Sequence, residues 1–84
     1  MRLRSEGLTA REVDGTLMVL DLASSQYFGI RGSGRLLYDE LATGERSVDD
    51  LVESVTGVYD VDDVTARADV EDFVSRLRGA GLLE

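Results

Sequence analysis

Val19-Leu20-Asp21-Leu22-Ala23-Ser24-Ser25-Gln26-Tyr27-Phe28-Gly29-Ile30 is two short apolar runs joined by a small polar turn, and Arg31-Gly32-Ser33-Gly34 follows before a helical pattern begins. The first run continues backwards through Thr16-Leu17-Met18 to Asp14-Gly15, the dipeptide that most strongly signals a two-residue hairpin turn. Aspartate and glycine tolerate the positive φ angles such a turn demands. The spacing therefore predicts strands over Leu8 to Val13, Thr16 to Leu22 and Gln26 to Ile30, in a three-stranded antiparallel meander. Its first and third strands are edges unless something covers them. A strand edge beside an apolar surface can bind another peptide.

From Ser33 onward the periodicity is helical. A first helix is expected over Gly34 to Ala42, N-capped by Ser33, with Leu36, Leu37 and Leu41 on one side and an end at Thr43-Gly44. Ser47 should cap a second, where Asp49 and Asp50 meet the positive end of the helix dipole and Val48, Leu51, Val52 and Val55 form a stripe. A third, over Asp62 to Arg78, carries Ala66, Val70, Phe73, Val74 and Leu77 on one face. Gly79 can end it, with Arg76 and Arg78 in its last turn and Leu82 and Leu83 returning to the core. The fold class is α+β, winged helix-turn-helix-like, as one domain over residues 1–84 with no linker or repeat.

Composition removes many functions. There is no histidine, cysteine or lysine among the 84 residues, and all nine basic residues are arginine. Histidine acid–base pairs, thiolate nucleophiles and metal sites, Schiff-base lysines and a P-loop lysine are thus impossible. No cofactor and no metal is expected, and the chain should not be an enzyme. Arg31-Gly32-Ser33-Gly34 is too short to cradle phosphates and reads as a turn feeding a helix. No apolar run approaches the ~18 residues of a membrane span. Met1-Arg2-Leu3-Arg4-Ser5-Glu6 lacks the apolar core of a signal peptide, so a cytoplasmic location is expected.

The net charge is −8, and ten of the seventeen acids lie between Glu45 and Asp72. A winged-helix fold suggests DNA binding by analogy, but the third helix would enter the groove with Asp62, Asp63, Asp69, Glu71 and Asp72 against Arg67 alone. Phosphates would repel such a helix, so no nucleic-acid partner is expected. An acyl carrier would need a serine after an aspartate at a helix start, and neither Ser24 nor Ser33 follows an acid.

The order of these pieces resembles a known family. Asp14-Gly15 followed by Leu17-Met18-Val19-Leu20-Asp21 and then Tyr27-Phe28-Gly29-Ile30 is similar to the PqqD-like proteins, also called RiPP recognition elements. Ser33-Gly34, Leu41-Ala42-Thr43-Gly44, Ser47-Val48-Asp49-Asp50-Leu51, Asp69-Val70-Glu71-Asp72-Phe73-Val74 and Gly81-Leu82-Leu83 extend the likeness from Leu8 to Leu83. The departure is Arg31, where the family often carries asparagine. A free-standing chain of this kind most resembles the discrete leader-binding protein of lasso-peptide biosynthesis. In PqqD itself the client is the precursor of pyrroloquinoline quinone.

The resemblance implies capture of the leader segment of a ribosomally made precursor, which adds as a strand to the third strand and lies against the third helix. A separate leader peptidase then acts on the precursor, and a cyclase closes the ring. On this chain the implied peptide-binding residues are Gln26, Tyr27, Phe28, Gly29 and Ile30 on the strand, with Arg67, Asp69, Val70, Phe73 and Val74 on the helix. Alternation puts Tyr27 and Gly29 on one face and Phe28 and Ile30 on the other. Arg67 and Asp69 are placed to meet charges on the leader.

Overall fold

A computed structural model describes all residues from Met1 to Glu84. Strands β1 (Leu8–Val13), β2 (Thr16–Asp21) and β3 (Gln26–Ile30) precede helices α1 (Ser33–Thr43), α2 (Val48–Val58) and α3 (Asp63–Gly79). The strands form one antiparallel sheet in the order β1-β2-β3. Asp14 and Gly15 take φ of 50° and 80°, both positive as the two-residue hairpin requires, and Val13 pairs with Thr16 across them.

The second turn depends on Asp21. Its main-chain oxygen accepts from Ser25 N at 2.7 Å, and its Oδ1 accepts from Ala23 N at 3.0 Å. These bonds turn the chain one residue earlier than the apolar run suggests. β2 ends at Asp21, and Leu22 is left 58% exposed. Along β2, Leu17, Val19 and Asp21 are buried while Thr16, Met18 and Leu20 face the open side of the sheet.

The helix ends follow local hydrogen-bonding chemistry with one correction. Ser33 does not cap α1; Gly32, at φ 58°, occupies the N-cap, and Ser33 is the first helical residue. Leaving β3 for α1 requires a left-handed residue, and glycine adopts it without a Cβ penalty. The buried side of α1 is Leu37, Tyr38 and Leu41, with Leu36 half-buried. At α2, Ser47 Oγ accepts from Asp50 N at 3.0 Å and Asp50 Oδ2 accepts from Ser47 N at 2.9 Å, a reciprocal capping box. α3 begins at Asp63 because Asp62 is its cap, accepting from Thr65 N at 2.7 Å. It ends beyond Arg78: Gly79 is still helical, Ala80 closes the last turn, and Gly81 at φ 77° reverses the chain. No helix is long and apolar enough to cross a membrane.

A single cluster of 15 buried side chains fills the space between the sheet and the helices, with Val19, Leu51, Ala66, Val70 and Leu82 wholly enclosed. Leu82 returns to the core, while Leu83 is half-buried and forms a bridge with Leu3. Arg4 fastens this arrangement. Its guanidinium donates to Asp21 Oδ1 at 2.8 Å and to Gly81 O at 3.0 Å, joining the β2–β3 turn to the segment after α3. Hydrogen bonding from Arg4 is the main cause that holds the Asp21 carboxyl below its ordinary value, and the Ala23 amide adds to it.

Two predictions follow from this packing. Leu51→Ala should cost about 3 kcal/mol, since a fully enclosed leucine leaves a cavity; urea unfolding measures it, and a loss under about 1 kcal/mol would contradict the enclosure. Asp21 has a lowered folded pKa, so its contribution is complete above the unfolded value near ~4 and disappears as pH falls through the folded value. Asp21→Asn should therefore lower stability at neutral pH and flatten the acid limb of the stability profile. An unchanged acid limb would mean that the Arg4–Asp21 contact is not maintained in solution.

Candidate functional site

β3 uses one side of its main chain. It pairs only with β2, and residues 26–30 make no main-chain hydrogen bond to any other part of the chain. Unpaired strand groups of this kind are hydrogen-bonding sites for another strand. β1 is also an edge, but it is exposed from Thr9 to Val13 and carries Arg11 and Glu12, with Glu12 engaged by Arg35 of α1. Beside β3 lies a groove floored by apolar side chains.

That groove has a volume of about 610 Å³ and runs between β3 and α3. The direction of α3 is fixed at two points. Gly34 lies against both Ile30 and Phe73, and Arg4 brings Gly81 to Asp21, the pairing partner of Gln26. The helix thus runs opposite to β3, with Phe73 near the end of the strand and Ala80 near its beginning. A Cβ on Gly34 would sit 3.0 Å from the Phe73 ring and 3.3 Å from Ile30 Cγ2. The bare glycine lets α1, β3 and α3 converge at one end of the groove.

Helical spacing divides the labour on α3. Ala66, Val70 and Val74, four residues apart, face the core. Asp69, Phe73 and Leu77 form the neighbouring row, and Asp72, Arg76 and Ala80 the next; both rows line the groove. Phe28 and Phe73 are half-buried, each giving part of its ring to the core and part to the groove. Ile30 and Leu37 form the floor with their side chains almost wholly enclosed.

The structure brings together Tyr27, Phe28, Gly29, Ile30, Asp69 and Phe73 of the residues named from the sequence. It places the other four elsewhere. Val70 and Val74 are 0% and 4% exposed and offer no groove surface. Arg67 points to α2, donating to Asp49 Oδ1 at 2.7 Å. Gln26 is exposed at the head of β3, opposite Asp21, and does not line the groove. Gly29 makes no bulge, since the register from Leu17↔Ile30 to Asp21↔Gln26 is unbroken.

Sequence reasoning did not assign Arg31, Ser33, Gly34, Leu37, Asp72, Arg76, Leu77 and Ala80 to the site, and these residues complete the lining. Stepping by four from Asp69 and Phe73 reaches Leu77, and that signal was available. The convergence at Gly34 is a tertiary fact with no local signature.

Charge at the groove is balanced and mostly solvated. Asp72 pairs with Arg76 at 3.0 Å, an exposed contact one helical turn long that contributes little energy. Arg31 donates from Nε to Thr16 Oγ1 at 2.6 Å, which holds its guanidinium over the open face of the sheet. The carboxylates held below their ordinary range are Asp21, Asp50 and Asp62. Asp50 and Asp62 owe this mainly to the main-chain amides of Ser47 and Thr65, and all three lie outside the groove. No group of three or more Asp or Glu side chains is arranged to hold a metal ion.

The family model described as "Coenzyme PQQ synthesis protein D (PqqD)" matches residues 16–83. A solved structure described as TbiB1 in complex with the TbiA(beta) leader peptide is similar over 100% of this chain and 95% of its own, at 27% identity and a TM-score of 0.87. Another, a lasso peptide synthetase B1 complexed with the leader peptide, is similar over 96% of this chain and 93% of its own, at 26% identity and a TM-score of 0.81. No curated protein matches by sequence.

Because Phe73 is half-buried, Phe73→Ala should cost only about 2 kcal/mol, below the roughly 3–5 kcal/mol of a fully buried phenylalanine. Urea unfolding of the variant checks it. A loss at the top of that range would make Phe73 a core residue with little surface to offer.

Proposed function

The chain belongs to the PqqD family, and from that premise we propose that it is a non-catalytic receptor for the leader segment of a lasso-type precursor peptide. The observation that carries this reading is the unpaired edge of β3 beside an apolar groove. An extended leader would add as a fourth strand, bonding through main-chain groups whatever its side chains. Selectivity then comes from the side chains that alternate into the groove between Phe28 and Phe73. Apolar anchors there supply most of the affinity, and the exposed Asp69 adjusts it.

On this reading Gln26 to Ile30 supply the receiving edge, Phe73 and Asp69 the facing wall, and Val70 and Val74 the packing that holds Phe73 in place. Arg67, engaged with Asp49, stays outside the contact. The receptor works in the cytoplasm, delivering the bound precursor to a separate leader peptidase and then a cyclase. The two solved structures similar to this chain are leader-peptide complexes, and the lasso-peptide description of one supports this assignment over a chaperone for the pyrroloquinoline quinone precursor. A DNA-binding role finds no support: α3 presents five acids between Asp62 and Asp72, and its one arginine there is already paired.

Fluorescence anisotropy tests the proposal, using the labelled leader of a lasso-type precursor from the same genome. Saturable binding at micromolar or lower concentration is expected, lost with a scrambled leader. Phe73→Asp should weaken binding about tenfold or more while the fold persists. Full affinity in a folded Phe73→Asp variant would remove the groove from the contact.

A further inference from the structure

Gly29 lies inside a strand that does not need a glycine. Its backbone is not in the left-handed region, it makes no bulge, and it pairs in register with Met18. A Cβ built there would be 3.5 Å from Thr16 Cγ2 and 3.7 Å from Met18 Sδ, ordinary packing distances. A strand interior loses stability with glycine, and any β-branched residue would serve β3 better. With a bulge and a required φ both excluded, the remaining use of a strand glycine is to admit a close approach by a ligand or another chain.

The surroundings indicate what approaches. Gly29 contributes to the groove lining, but its Cβ direction belongs to the sheet face turned away from the helices, shared with Thr16, Met18 and Leu20 of β2. Two residues before it stands Tyr27, which is 67% exposed, and two residues after it, just past β3, stands Arg31, whose guanidinium is anchored to Thr16. Bare backbone is thus flanked along the chain by a phenol and a guanidinium, and across the strand pair by a thioether. Each favours a flat π-system: the ring by stacking, the guanidinium by cation–π attraction, the sulfur by contact with a ring edge. A cross-strand aromatic laid over an edge glycine is an established stabilising pair.

We propose that Gly29, Tyr27, Met18 and Arg31 form a second subsite, on the open face of the sheet, which receives an aromatic side chain of the added strand. This rests on the strand-addition reading above and extends it. Side chains of the leader that alternate away from the groove are then read as well, so both faces of the peptide contribute to selection.

The test is an alanine scan of the same labelled leader against the native chain, Gly29→Val and Gly29→Ala. In the native chain, replacing one aromatic leader residue should weaken binding about fivefold, the scale of a cross-strand aromatic pair. In Gly29→Val that replacement should cost less than twofold, because the valine already excludes the ring; Gly29→Ala should fall between. Both variants should remain folded, and an NOE between the leader ring and the Met18 methyl in the native complex gives a reading independent of any variant. The subsite is refuted if every leader substitution costs the same in all three proteins, if the coupled position is not aromatic, or if the NOE is missing. Those outcomes, with leader binding intact and sensitive to Phe73→Asp, leave leader capture standing. No saturable binding to the native chain refutes both.

Discussion

Main-chain groups on both sides of a strand need hydrogen-bond partners, and β3 satisfies one side only. The rest of the structure is arranged around keeping the other side available. The β2–β3 turn is set by Asp21, and the same carboxylate, through Arg4, fixes where the end of α3 lies. At the opposite end, Gly34 lets α1 approach until it meets Phe73 and Ile30. Between those two ties, α3 runs alongside β3 without covering it, and the groove is the space left over.

An open edge next to apolar surface invites aggregation unless something opposes it. Here the opposition is electrostatic. A net charge of −8 makes copies of the chain repel, and the other edge strand is exposed with Arg11 and Glu12 on it. The acids of α2 and α3 also do local work. Asp50 and Asp62 cap helices, Asp49 holds Arg67, and Asp72 holds Arg76. A surface so spent on caps and exposed pairs suits a receptor whose affinity lies in main-chain bonds and apolar contacts.

Much of this was legible in the residues because the signals were local. Asp14-Gly15 demanded a two-residue turn, the apolar runs on either side of it marked β1 and β2, and Ser47 with Asp50 marked the start of α2. The site was legible on its strand side, where order along the chain is order in space. It was less so on α3, because a helical stripe does not reveal which of its rows meets the core. Val70, Phe73 and Val74 read alike, yet the packing encloses the two valines and leaves the phenylalanine straddling the boundary. Gly32, Gly34 and Leu3 act through neighbours distant in sequence or through a required φ, and spacing says nothing about either.

Hydrogen–deuterium exchange at Gln26 to Ile30, with and without saturating leader peptide, tests the central claim most directly. Strand addition predicts strong slowing at alternate amides of this segment, those directed away from β2, with little change along β1. Unchanged exchange across all five residues in a fully bound complex would contradict it, and would place the peptide somewhere other than the open edge of β3.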